Sequence, residues 1–180
     1  YFDSVKPDYC VVAFDLKAPT FRHKMYGEYK ANRKGMPEEL AVQLPYAKKA
    51  MSALGYFVVT QEGYEADDIL GTLSASAAAV GVKSYVLTGD RDSLQLIGDN
   101  VSVLLVKTKE TIEFDRAVFF ENYGIMPEQF VDVKALMGDS SDNIPGVPGI
   151  GEKGALKLIA EYGSLDGVYE ALPTAKHTPS

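Results

Sequence analysis

The sequence predicts an α/β fold, a mainly parallel sheet flanked by helices. Three observations predict it. The short, continuous apolar run over residues 9–14 has the character of a buried parallel strand, and further strands read at 56–60, 84–87 and 101–106. Longer segments of helical pattern, such as residues 65–79, lie between them. The two kinds of segment alternate along the chain, as strand–helix–strand crossovers require.

The elements follow in order. The opening residues read as a helix end, a turn at Pro7 and then a strand over 9–14, as inside an α/β domain rather than at its start. Residues 16–36 are basic and aromatic with weak periodicity. Residues 37–54 are helical, and Pro45 implies a kink or two abutting helices. A second strand is expected over 56–60 and an alanine-rich helix over 65–79, stopped by Gly81. A third strand, 84–87, ends in the turn Thr88-Gly89-Asp90, with a short helix expected around 92–97. A fourth strand, 101–106, is expected to pair with 111–114 in a hairpin. Asp115 reads as the N-cap of a helix over 117–123, and Pro127 as the first turn of another reaching Met137. A glycine- and proline-rich stretch over 138–151 precedes two short helices, 153–162 and 165–171, the second capped by Ser164. The tail from Pro173 is expected to fray.

At 180 residues the chain is long enough for one domain with a small appendage. Its 46% hydrophobic and 24% charged residues are ordinary for a globular protein. No run approaches the ~20 apolar residues of a membrane helix, and no signal-peptide pattern opens the chain. Cys10, the only cysteine, excludes an intrachain disulfide and a cysteine-based zinc site. It reads as a reduced core thiol, which implies a cytoplasmic setting. The net charge of −7 argues against nucleic acid, but the charges are segregated. Lys17, Arg22, Lys24, Lys30, Arg33 and Lys34 crowd one segment with Glu28 as its only acid.

The acids form four short signatures. Asp15 ends a strand; Glu65, Asp67 and Asp68 open a helix; Asp90 and Asp92 follow a strand; Asp139 and Asp142 lie in Gly-Asp-Ser-Ser-Asp-Asn. Strand ends are where open α/β sheets bind ligands. Glu65 and Asp68 are spaced to share a helix face, as are Asp139 and Asp142 if their turn is helical. Carboxylates ~4 Å apart repel by ~4 kcal/mol at an effective dielectric near 20, so cations must neutralise them or some stay protonated. Oxygen-only ligands suit Mg²⁺ or Mn²⁺, and two such ions can activate water and stabilise a leaving oxygen. One acidic pair at a helix start is ordinarily a cap. Four signatures in one small domain point to metal instead.

In order along the chain, VAFDLKAPTFRH (12–23), EYKANR (28–33), GYEADD (63–68), TGDRD (88–92) and GDSSDNIPGVPGIGEK (138–153) resemble the 5′-nuclease domains of bacterial DNA polymerase I. The wider group includes the flap endonucleases. The resemblance runs from about Asp8 to about Ala171. It implies a PIN/5′-nuclease-like core over 1–137, with a helical arch over 17–36, and a helix–hairpin–helix type element over 138–172. It implies metal-dependent hydrolysis of phosphodiesters in 5′-flap, nicked, gapped or branched DNA, in replication and repair. A linked polymerase domain and a monomeric protein are expected with it.

The resemblance also implies residue roles. Two ions, Mg²⁺ or Mn²⁺, would draw on Asp15, Glu65, Asp67 and Asp68 in one group, and on Asp90, Asp92, Asp139 and Asp142 in the other. Lys30 and Arg33, with Arg22 as a further candidate, would reach the scissile phosphate. Lys17, Lys24, Tyr29 and Lys34 would contact the passing strand through charge and stacking. Gly146, Gly149, Gly151, Lys153 and Lys157 would hold duplex backbone, with K⁺ expected at that hairpin. Family members carry one more aspartate on a strand preceding everything in this sequence. A DNA-binding module without catalysis is therefore the alternative. An aspartate-nucleophile phosphatase fits less well, because Asp92 is followed by Ser93-Leu94 and the pair follows a later strand. A related RNA-cutting nuclease would lack the hairpin element. His23 and His177 do not read as ligands, and Phe119, Phe120 and Phe130 read as core.

Overall fold

A computed structural model describes residues 2–172. The expected frayed tail and His177 lie outside the described residues. The chain divides into two compact units that part between Leu70 and Gly71.

The first unit opens with α1 (Phe2–Val5) and then β1 (Val11–Ala13). α2 (Phe21–Met25), α3 (Glu38–Ala41) and α4 (Leu44–Ala53) follow, then β2 (Phe57–Val59). β1 and β2 pair in parallel, Val11 opposite Phe57 and Ala13 opposite Val59. Pro45 resolves as the opening turn of α4, where its missing N–H costs nothing, so two helices replace one kinked helix. The strand expected over 9–14 is shorter and less buried than its sequence suggests. Tyr9 is 86% exposed and Val11 lies at the surface. The reason is pairing: among the described residues β1 has β2 as its one partner, so an apolar run remains an edge. Cys10 is half-buried rather than core, and burial pushes its thiol above the usual range.

α5 (Ala66–Ala79) begins in the first unit and continues into the second. The second unit then builds β3 (Ser84–Thr88), a 3₁₀ turn over Arg91–Leu96, β4 (Val101–Val106) and β5 (Thr111–Phe114). β3 and β4 are parallel; β4 and β5 form the expected antiparallel hairpin. Val101 to Leu105 are buried without interruption, as a central strand covered on both faces requires.

α6 (Arg116–Tyr123) starts where Asp115 accepts the Val118 N–H at 2.8 Å, the cap read from sequence. A 3₁₀ turn, Pro127–Gln129, leads into α7 (Phe130–Met137). Phe119, fully buried, packs on Tyr123 and edge-on against Phe130, with centroids 4.6 and 5.5 Å away. Phe120 is 53% exposed, which corrects its assignment to the core. Neighbouring helical residues point about 100° apart, so only one of the pair can face inward.

β6 (Gly138–Asp139) and β7 (Ile144–Pro145) form a short antiparallel pair inside the glycine-rich stretch, an element the sequence did not announce. α8 (Glu152–Tyr162) and α9 (Leu165–Ala171) finish the unit, and Ser164 caps α9 through the Gly167 N–H. α7 is tied to this pair by Asp132, which accepts the Leu165 N–H at 3.0 Å.

Candidate functional site

In the first unit the acids gather at the head of α5. Asp15, just after β1, accepts the Ala66 N–H through Oδ1 at 2.7 Å. Asp68 accepts the Glu65 N–H at 2.9 Å, so the helix-cap reading of these acids is also satisfied. Asp67 is exposed on the first turn. Glu65 accepts Tyr29 Oη at 2.9 Å and Lys30 Nζ at 2.6 Å. Arg22 grips Asp68 in a fork of 2.7 and 2.8 Å. The Arg22 guanidinium holds the Asp68 carboxyl below the usual carboxylate range, against the upward push of burial.

Lys30 and Arg22, expected at a scissile phosphate, thus rest on acids of the same unit. Lys30 adopts a left-handed backbone, φ 57°, an uncommon conformation for a side chain of this kind. Tyr29 is only 5% exposed and packs edge-on against His23. The base stacking expected of it has no open face here. His23, which the sequence left without a role, closes the head of α2: its Nδ1 lies 3.2 Å from the Thr20 N–H and 2.9 Å from Thr20 Oγ1. Lys17, Lys24, Arg33 and Lys34 are exposed.

In the second unit the acids meet at a residue that sequence reasoning missed. Lys134 Nζ lies 2.8 Å from Asp92 Oδ1 and 2.7 Å from Asp139 Oδ2. The one available signal was a lone lysine in the apolar helix FVDVKALM, close before Asp139. Asp90 accepts the Asp92 N–H at 2.9 Å, capping the 3₁₀ turn. Asp139 Oδ1 accepts the Ser141 N–H and hydroxyl at 2.8 and 2.7 Å and the Asp142 N–H at 3.2 Å.

The two carboxylates that share Lys134 titrate in opposite directions. Burial pushes Asp92 up, helped by the charges of Asp90 and Asp139, and Lys134 does not fully offset it. Burial pushes Asp139 up too, but Lys134 and the Ser141 donors outweigh it and hold the carboxyl far below the usual range. The extra donors are the physical difference. The Lys134 ammonium is lowered by burial but raised more by its two acids, for a net rise.

Among the described residues, no three acidic, imidazole or thiol groups stand close enough together to hold one ion as placed. Arg22 lies within reach of both Asp68 and Glu65, and Lys134 lies between Asp92 and Asp139. The donor chemistry nevertheless suits a hard cation: every candidate ligand is a carboxylate oxygen, and Asp92 with Asp139 already holds a cation between them.

Around the hairpin, Gly149 takes φ 84° in an exposed turn, and Gly151 precedes α8 with no side-chain cap on that helix end. Lys153 and Lys157 are exposed one turn apart on α8. Gly146 is packed against its own chain: a Cβ there would overlap the Met137 carbonyl and the Gly138 nitrogen. Arg91 Nη2 reaches from the 3₁₀ turn to Glu152 at 2.6 Å and Tyr123 Oη at 3.2 Å, linking the Asp90–Asp92 turn to the head of α8.

Comparison with known proteins places the fold among resolvase-like nuclease folds. A 5′-3′ exonuclease, N-terminal resolvase-like domain matches residues 1–124, and a 5′-3′ exonuclease, C-terminal SAM fold matches residues 125–179. The chain belongs to the 5′-3′ exonuclease family. It is 46% identical over 184 residues to the DNA polymerase I of Caldicellulosiruptor bescii, covering 98% of this chain and 21% of that one. It is 47% identical over 170 residues to the thermostable DNA polymerase I of Thermus filiformis, covering 92% of this chain and 20% of that one. The chain therefore spans about a fifth of the length of the curated relatives it matches. The T5 D15 protein co-crystallised with metal ions superposes with a TM-score of 0.82 at 28% identity, over 98% of this chain and 70% of that one. The bacteriophage T5 D15 flap endonuclease, in a complex with DNA and metal ions, gives 0.80 at 28% identity, over 99% and 68%. The catalytic core of Rad2 with DNA substrate, 19% identical over 94% of this chain and 54% of that one, shares the fold with a TM-score of 0.62. Among the described residues, no helix is long and apolar enough to cross a membrane.

Proposed function

We propose that this chain is the divalent-metal-dependent 5′-nuclease part of a DNA polymerase I, hydrolysing phosphodiester bonds in 5′-flap, nicked or gapped DNA during replication and repair. One observation carries the reading: Asp92 and Asp139, from separate segments of an acid-rich family fold, converge on a single cation. Asp15, Glu65, Asp67 and Asp68 would hold one Mg²⁺ or Mn²⁺; Asp90, Asp92, Asp139 and Asp142 would hold another. Such ions would supply an activated water and charge for the leaving oxygen.

Lys30, Arg33 and Arg22 answer the charge that develops on the scissile phosphate. Lys17, Lys24 and Lys34 attract the passing strand, while Tyr29 acts through Glu65 rather than by stacking. Gly149, Gly151, Lys153 and Lys157 hold duplex backbone, with K⁺ at the hairpin, within an element over 138–172; residues 1–137 form the core. A monomeric cytoplasmic protein with a linked polymerase domain completes the proposal. The T5 relative crystallised with DNA and metal ions supports it.

The test is cleavage of a 5′-flap duplex with Mg²⁺ or Mn²⁺, comparing this chain with Asp139→Asn. Metal-dependent cleavage that the variant loses supports the nuclease reading. Binding without cleavage, in both proteins, would favour the second reading, a DNA-binding module. The observation on that side is that, among the described residues, no three acids stand grouped for one ion.

A further inference from the structure

α7 presents an apolar face to the core through the buried Phe130, Val133 and Leu136, and Lys134 stands among them. Its side chain is 24% exposed, and its ammonium lies between two carboxylates at 2.7 and 2.8 Å. The acids are prepared to stay where they are without it. Asp139 Oδ1 is fixed by Ser141 and Asp142, which leaves Oδ2 directed at the lysine. The Asp92 main chain is fixed by the Asp90 cap. The lysine, by contrast, hangs on a flexible four-carbon stem.

We propose that Lys134 is a built-in stand-in cation, which neutralises Asp92 and Asp139 in the metal-free protein and is displaced when a divalent ion takes those carboxylates. The inference rests on the reading above that these two acids hold metal. A metal ion binds carboxylate oxygen at ~2.0–2.1 Å for Mg²⁺, closer than an ammonium can approach. Two cations on the same pair of oxygens would face each other at short range with like charge, so one excludes the other. The lysine thereby prevents acid–acid repulsion before metal arrives, and it weakens metal binding by competition. Its neutral replacement should give a less stable metal-free protein that binds metal more tightly.

The experiment uses the unaltered chain first. Lys134 is labelled with an amine-acylating reagent in chelator, in Mg²⁺ and in Mn²⁺, and the yield at each lysine is read by mass spectrometry. Displacement predicts a several-fold rise at Lys134 on saturation with either ion, with Lys153 and Lys157 unchanged. Calorimetric titration of Lys134→Met with Mn²⁺ should show binding roughly tenfold tighter or more, because a fixed competing charge is gone. Its unfolding temperature in chelator should fall, and Mn²⁺ should restore it. Unchanged labelling with metal bound, or weaker binding in Lys134→Met, would overturn the inference alone. If Mn²⁺ titrates Asp139→Asn and the unaltered chain alike, the metal reading of these acids fails and takes the inference with it.

Discussion

Replacing Gly146 with alanine adds one methyl group where the backbone leaves no room for it. The new Cβ would overlap the Met137 carbonyl and the Gly138 nitrogen, main-chain atoms that cannot swing aside as a side chain could. Gly146 does not need a left-handed conformation, so the penalty is one of packing. Forcing a methyl into a closed site costs about 1–3 kcal/mol. With a central value of ~2 kcal/mol, the contact of this loop with α7 should open roughly thirtyfold more often. The bond to watch is Val147 N–H to the Leu136 carbonyl, 2.8 Å, next to the β6–β7 pair that carries Asp139. Amide exchange at Val147, measured with and without the substitution, reads that opening directly. Faster exchange should come with weaker metal-dependent cleavage, because Asp139 is held by the same loop. If Gly146 is instead a glycine so that DNA phosphate can approach, Gly146→Ala would lower DNA affinity and leave Val147 exchange unchanged. That result would refute the packing argument.

Three further outcomes are expected. The Asp139 carboxyl is depressed in the folded protein, so its stabilising effect is complete above its unfolded value and is lost as pH falls through the folded one; in chelator, Asp139→Asn should flatten acid unfolding at low pH, measured by far-UV circular dichroism. Lys30→Ala should lower turnover by tenfold or more (~1.4 kcal/mol of transition-state stabilisation) with little change in DNA affinity, whereas Lys153→Ala should weaken binding and reduce its salt dependence; equal effects on affinity with unchanged turnover would remove the role given to Lys30. In a double-mutant cycle on Arg91→Gln and Glu152→Gln, followed by chemical denaturation, the coupling should be ~0.2–1 kcal/mol, as for exposed pairs; a coupling of zero would mean that this bridge does not hold the Asp90–Asp92 turn to α8.

Much of the frame was legible because single residues decide it locally. Residues 101–106 read as a strand and form one, Asp115 and Ser164 read as caps and cap α6 and α9, and Pro45, which left a kink or two abutting helices open, proves to open α4. The acids were legible as four signatures, but not the cations that meet them. Lys134 reaches Asp92 across a tertiary distance that no spacing rule encodes, and Arg22 does the same for Asp68. α2, inside the arch that the resemblance implied, did not show in the periodicity because five residues carry too little of it; Thr20 and His23 close its first turn. Phe120 was misread because two adjacent phenylalanines look equally apolar in sequence while a helix turns one outward. The β6–β7 pair is too short to alternate, and it forms because two glycines let the backbones touch.

The stretch from Ala31 to Gln43 is exposed at every residue, and it contains the tryptic sites Arg33 and Lys34. A protease working on the folded protein would therefore cut there early. Such a cut leaves Lys30 tethered to Glu65, while the chain beyond is released from it. The rate of that first nick becomes a footprint: a DNA strand lying over this segment should slow it, and a duplex held only at the hairpin of the second unit should not.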